Sequence, residues 1–127
     1  MTSSDSQARR FAATAESVSE VRAFVRSALG DLVVDHAAVL LMADELAANA
    51  VRHARTPFTV RIVLESFAVR VEVADDDPRF PVVRDPDPLA TGGRGMLIVD
   101  RCATDWGIEN HPDNGKTVWF ESRQLAI

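Results

Sequence analysis

The stretch Asp35-His-Ala-Ala-Val-Leu-Leu-Met-Ala-Asp-Glu-Leu-Ala-Ala-Asn-Ala-Val-Arg-His-Ala54 decides how the chain folds. Its residues are mostly strong helix formers, Asp35 can cap the first free N–H groups, and Pro57 is placed to end the run. At about 100° per residue, Val39, Ala43, Leu46, Ala47, Ala50 and Ala54 gather on one side, with Leu40 and Val51 at its edge. That side predicts the core. Glu45, Asn49 and His53 fall at i, i+4 and i+8 and form a polar stripe along one flank of it. On most helices such a stripe is merely solvated. Here Asn is a poor helix-interior residue, and Ala47, Ala48 and Ala50 around it leave room for another group to approach. A carboxylate beside an amide also makes chemical sense: the acid can take a proton or orient a nucleophile, and the amide oxygen can ligate Mg²⁺.

C-terminal to this helix, Val60, Ile62 and Leu64 alternate with Arg61, Val63 and Glu65. After a turn near Ser66 the alternation resumes as Val69, Val71 and Val73 against Arg70 and Glu72, which predicts a β-hairpin. Continuing it places Asp75 on the face of the three valines, at the mouth of the sheet, where an acid can accept a specific hydrogen bond. Asp76 to Pro88 gathers prolines and acids and predicts an irregular surface connection. Ala90-Thr-Gly-Gly-Arg-Gly95 then feeds an apolar helix through Cys102. Glycines let a backbone approach a ligand and a helix N-terminus attracts anions, although glycine loops often serve only as turns. Two more strands are expected, near Thr104 to Glu109 and Thr117 to Ser122, joined by the turn His111-Pro-Asp-Asn-Gly115.

N-terminal to the central helix, Thr14 is placed to cap a helix over Ala15 to Leu29, with Val18, Val21, Val25, Ala28 and Leu29 at helical spacing and Gly30 as its stop. Arg10 to Ala13 could form a short strand. Residues 1–9, polar and Ser-rich, have the composition of a mobile terminus, which leaves 10–127 as one domain.

Composition narrows the function. With 127 residues, 46% hydrophobic and 26% charged, the chain suits a single packed domain. Its net charge of −5 provides no broad basic surface for direct nucleic-acid binding. No apolar run approaches the roughly 20 residues that span a bilayer and no signal-peptide centre is present, so a cytoplasmic protein without membrane contact is expected. The single cysteine, Cys102, predicts a core residue and excludes an internal disulfide, and His36, His53 and His111 have no zinc-site spacing.

Taken in order, Glu45-x-x-x-Asn49, Asp75 at a strand end and Gly93-x-Gly95 before a helix resemble the N box and the two glycine boxes of the GHKL nucleotide-binding superfamily. The likeness is to its single-domain anti-sigma-factor serine/threonine kinases, above all the actinobacterial type. Glu45 to Ala54, Gly92 to Asp100 and Gly115-Lys-Thr-Val-Trp-Phe-Glu121 carry it. The resemblance implies an α/β, two-layer sandwich (the Bergerat fold) with a mixed, mostly antiparallel sheet and helices on one face. It implies ATP and Mg²⁺ as cofactors, a sigma factor and a STAS-type anti-sigma-factor antagonist as partners, and a homodimer. By the same resemblance Glu45 would be the catalytic base, Asn49 the Mg²⁺ ligand and Asp75 the acceptor of the adenine amino group. Gly93 and Gly95 would let a lid loop fold over the phosphates, with His53, Arg94, Met96 and Thr117 completing the nucleotide contacts.

The run Asp75-Asp76-Asp77-Pro78 departs from that pattern, which places glycines after the aspartate. Pro78 restricts the turn, and Asp76 and Asp77 would repel phosphates unless metal or distance intervened. The alternative to a kinase is therefore a nucleotide-binding module that holds a partner and transfers no phosphate.

Overall fold

The computed structural model describes residues 5–77, 93–111 and 115–124. The central helix, α2, runs His36–Asn49, and the Asp35 carboxylate caps it by accepting the Ala38 N–H at 3.1 Å. Beyond Asn49 it widens into one π-helical turn, Ala50–Ala54. Arg55 closes that turn in the left-handed region at φ 57°, donating its N–H to the Ala50 carbonyl at 3.1 Å. Termination thus precedes Pro57 by two residues and is achieved by a main-chain conformation rather than by the proline.

The first helix, α1, occupies Ala15–Leu29 and stops at Gly30, φ 50°, as expected. Thr14 makes no side-chain cap; its hydroxyl is paired with that of Ser17 at 3.1 Å. A nearby hydroxyl has displaced the free backbone N–H as its partner.

Among the described residues five strands form one sheet in the order β1-β2-β3-β5-β4, where β1 is Asp5–Phe11, β2 Phe58–Glu65, β3 Ala68–Asp75, β4 Asp105–His111 and β5 Gly115–Arg123. Every pairing among these strands is antiparallel, in keeping with the mostly antiparallel sheet that was implied. The edge strand β1 starts at Asp5, which pairs with Leu64, so residues 5–9 belong to the sheet rather than to a mobile terminus. Residues 5 to 10 are all exposed, and with neither face buried they carry no apolar alternation by which a strand is recognised. Charges along this edge also discourage pairing with another chain.

Helices α1, α2 and α3 (Gly93–Cys102) pack on one face of the sheet. The core joins Val21, Val25 and Leu29 of α1 with Val39, Ala43, Leu46 and Ala47 of α2 and with Phe58, Val60, Ile62, Val69, Val71, Val73, Val118 and Phe120 of the sheet. Met42 is fully buried although it lies off the apolar stripe, because α2 touches α1, α3 and the sheet and is enclosed on more than one side. Cys102, expected inside, is exposed at the last residue of α3. The opposite sheet face is polar: Arg70 lies 4.0 Å above the Trp119 ring and bonds Glu72 at 2.8 Å, while Trp119 covers Gly107, where a Cβ would stand 2.9 Å from the indole.

Candidate functional site

The stripe on α2 meets the first turn of α3. A Cβ on residue 95 would stand 3.0 Å from Glu45 Oε2 and 3.4 and 3.5 Å from Asn49 Nδ2 and Oδ1, so the glycine lets the helix backbone close on these side chains. Asn49 Nδ2 is buried without a hydrogen-bond partner among the described residues. An orphaned buried amide costs stability and is rare where no ligand uses it. The amide can turn either its oxygen or its NH₂ inward, so it can present a hard oxygen to Mg²⁺ or a donor to a phosphate. Carboxylate, orphaned amide and the space of a missing Cβ together fit a metal-bound phosphate chain, with Asn49 the residue that would hold the metal.

The second half of the site closes the far end of β3. Asp75 continues the buried face of Val69, Val71 and Val73, as the alternation predicted, and is 6% exposed. It pairs in register with Phe58 on one side and Lys116 on the other. Lys116, 5% exposed, places its Nζ 3.1 Å from both Asp75 oxygens and 3.0 Å from the Asp77 carbonyl. The Asp77 N–H donates to Asp75 Oδ1 at 2.8 Å, forming an Asx turn. Burial pushes the Asp75 carboxyl above its ordinary range, opposed by the Asp77 N–H and by Lys116.

This bracing explains how the chain accommodates a turn without the expected glycines. Asp76 swings outward, with its N–H on Thr56 Oγ1 at 3.2 Å and its carboxylate 3.5 Å from Arg10. The close approach comes from across the sheet instead. At Gly115, φ 89°, a Cβ would lie 1.9 Å from the Asp75 carbonyl oxygen, so only glycine lets β5 begin against the Asp75–Asp76 backbone. The Thr56 contact, together with the π turn that packs on β3, brings the helix end carrying His53 to the strand end carrying Asp75.

Gly93 and Gly95 lie within α3 from its first residue, not in a loop before it, since the helix starts three residues earlier than expected. Met96 is 1% exposed and packs in the core. His53 is half-buried in the π turn. Thr117 is a correction: strand alternation turns it to the face opposite Lys116 and Val118, and its hydroxyl sits 3.0 Å from His111 Nε2. Lys116, one residue earlier, takes the place beside Asp75. Its signal was available, because a lysine between strand residues that alternate inward requires a buried acid, but the sequence alone does not pair the two strands. The Arg94 side chain, most of the connection Asp76 to Pro88, and the turn at 112–114 lie outside the described residues.

Fold and site together define a class, and residues 11–121 match the histidine kinase-like ATPase domain, so the chain belongs to that family. Over an alignment of 62 residues, which covers 46% of this chain and 58% of the relative's length, the chain is 44% identical to an uncharacterised protein of Streptomyces coelicolor. Among solved structures, that of the RsbU and RsbW domains of Rv1364c from Mycobacterium tuberculosis is similar with a TM-score of 0.69 over 97% of this chain, at 19% identity. The match takes in 35% of that chain, and the likeness is one of fold. No helix among the described residues is long and apolar enough to cross a membrane.

Proposed function

We propose that the protein is a Mg²⁺-ATP-dependent serine/threonine kinase of the anti-sigma-factor type, which sequesters a sigma factor and phosphorylates a STAS-type antagonist on serine. The observation that carries this proposal is the convergence of Glu45 and Asn49 on Gly95. Membership of an ATPase family supports nucleotide as the ligand, and similarity to a structure containing an RsbW domain supports the regulatory setting.

Phosphoryl transfer asks an enzyme chiefly to position the reactants and to neutralise charge. Glu45 would orient the antagonist's serine hydroxyl and take its proton as the new O–P bond forms and the bond to the departing ADP breaks. Asn49 would hold Mg²⁺, which when bound offsets the negative charge of the phosphates. Asp75 would accept from the adenine amino group at the opposite end of the site. A second reading, a module that binds nucleotide and partner without transfer, is favoured by the engagement of Asp75 with Lys116. Calorimetric titration of ATP with and without Mg²⁺, followed by incubation of candidate antagonists with radiolabelled ATP, tests both. Metal-dependent binding and a labelled antagonist are expected. Binding of ATP and antagonist without label selects the second reading, and absence of ATP binding at millimolar nucleotide sinks both.

A further inference from the structure

The buried ion pair between Asp75 and Lys116 leaves a particular hydrogen-bonding capacity unspent. Among the described residues, Asp75 Oδ1 accepts from the Asp77 N–H and from Lys116, whereas Oδ2 accepts no hydrogen bond and meets Lys116 only as an ion-pair contact, 3.1 Å from Nζ, on one side. One lone pair of Oδ2 is therefore unused. The Lys116 ammonium has three N–H groups, which serve the Asp75 carboxylate and the Asp77 carbonyl and leave one over. The strand end thus presents one acceptor and one charged donor side by side. An ion pair this deeply buried gains little stability over two apolar residues of the same volume, so packing alone does not account for a lysine here.

We propose that Lys116 is a specificity-determining residue that reads the nucleobase, donating to ring nitrogen N1 of adenine while Asp75 accepts from the neighbouring exocyclic amino group. The inference rests on the nucleotide-binding reading above and adds to it a direct second contact on the base edge. Adenine carries a donor and an acceptor in adjacent positions there, the complement of the Asp75–Lys116 arrangement. Neutral purine analogues that keep the amino group and lack N1 keep one contact and lose the other.

The test compares ATP with 1-deaza-ATP, in which N1 is replaced by C–H, by calorimetry on wild type, on Lys116→Met, and on the double variant Asp75→Asn, Lys116→Met. The double variant guards against misfolding, because it leaves no unpaired buried charge while its amide oxygen still accepts from the amino group. Wild type is expected to prefer ATP by about ten- to a hundredfold, the worth of a charge-assisted hydrogen bond. The ratio should fall close to unity in either variant. A purely structural lysine would lower the affinities for both nucleotides together and leave their ratio unchanged. Equal binding of the two nucleotides by wild type, or a preference that survives loss of the ammonium, overturns the proposal while leaving nucleotide binding itself intact. Failure of wild type to bind ATP removes the nucleotide reading and this inference with it.

Discussion

A methyl group at position 95 would crowd the Glu45 carboxylate and the Asn49 amide, so Gly95→Ala separates helix packing from site chemistry. Alanine is the better helix residue, and the variant should match or exceed wild type in stability, by up to about 1 kcal/mol. Its affinity for Mg²⁺-ATP should nevertheless fall about tenfold or more, because the methyl, 3.4 Å from the Asn49 amide, fills the space in which the metal-bound phosphates would sit. Calorimetry and thermal unfolding on one sample check both halves. Asn49→Ala should likewise leave the thermal midpoint nearly intact, since it removes a buried donor that has no partner among the described residues. It should lessen the Mg²⁺ dependence of ATP binding, and an unchanged dependence would return Asn49 to a packing role. Asp75 behaves differently. Its folded pKa is raised above 3.8 by burial, so the stability this group contributes is complete below about 3.8 and is lost as pH rises through the folded value. Carbon-detected NMR should find its carboxyl titrating above the ordinary aspartate range, and a midpoint at or below 3.8 would contradict the burial argument.

At the scale of elements, the edge strand matters more than its exposed side chains suggest. Only Phe11 of β1 reaches the core, where its ring stacks on Phe58 at 5.7 Å and meets Phe24 at 6.0 Å. Phe11 therefore fastens the strand and the start of β2 to α1, and Phe58, the first residue of β2, is itself the one paired with Asp75. Phe11→Ala should cost about 3–5 kcal/mol in urea unfolding, the range for emptying a buried aromatic site. A loss under about 1 kcal/mol would mean that the strand is held by its hydrogen bonds and not by this anchor. The π turn has a comparable positioning role. By widening the end of α2 it lets Ala50 and Ala54 stay buried while the chain turns at Arg55 toward β2.

For the whole molecule, the prediction concerns division of labour between the two ends of the site. Glu45→Ala should keep ATP binding, because the carboxylate acts on the incoming hydroxyl, and should lose about 10²–10⁴ in transfer to a serine of the antagonist. A single-turnover assay with radiolabelled ATP and both variants decides it. Transfer at the wild-type rate would leave Glu45 as a partner contact. Asp75 and Lys116, at the far end, should change which nucleotide is held without abolishing the chemistry of the phosphate end.

What sequence alone determined is whatever has a period or a box. The 3.6-residue spacing of Val39, Ala43, Leu46 and Ala50 located α2 and its buried face, the alternation through Val69, Val71 and Val73 carried Asp75 to the interior, and the ordered motifs led to the family. Periodicity encodes burial on one face, so β1, exposed on both faces from Asp5 to Arg10, left no such trace. The Thr14 hydroxyl, the left-handed Arg55 and the outward Cys102 depended on local competition among neighbours that a pattern does not weigh. Tertiary structure alone decided the partner of Asp75. Lys116 lies 41 residues away along the chain, and only the β3–β5 register sets it, rather than Thr117, against the buried carboxylate. In a strand a shift of one residue exchanges the two faces, and that register is a long-range property of the assembled sheet.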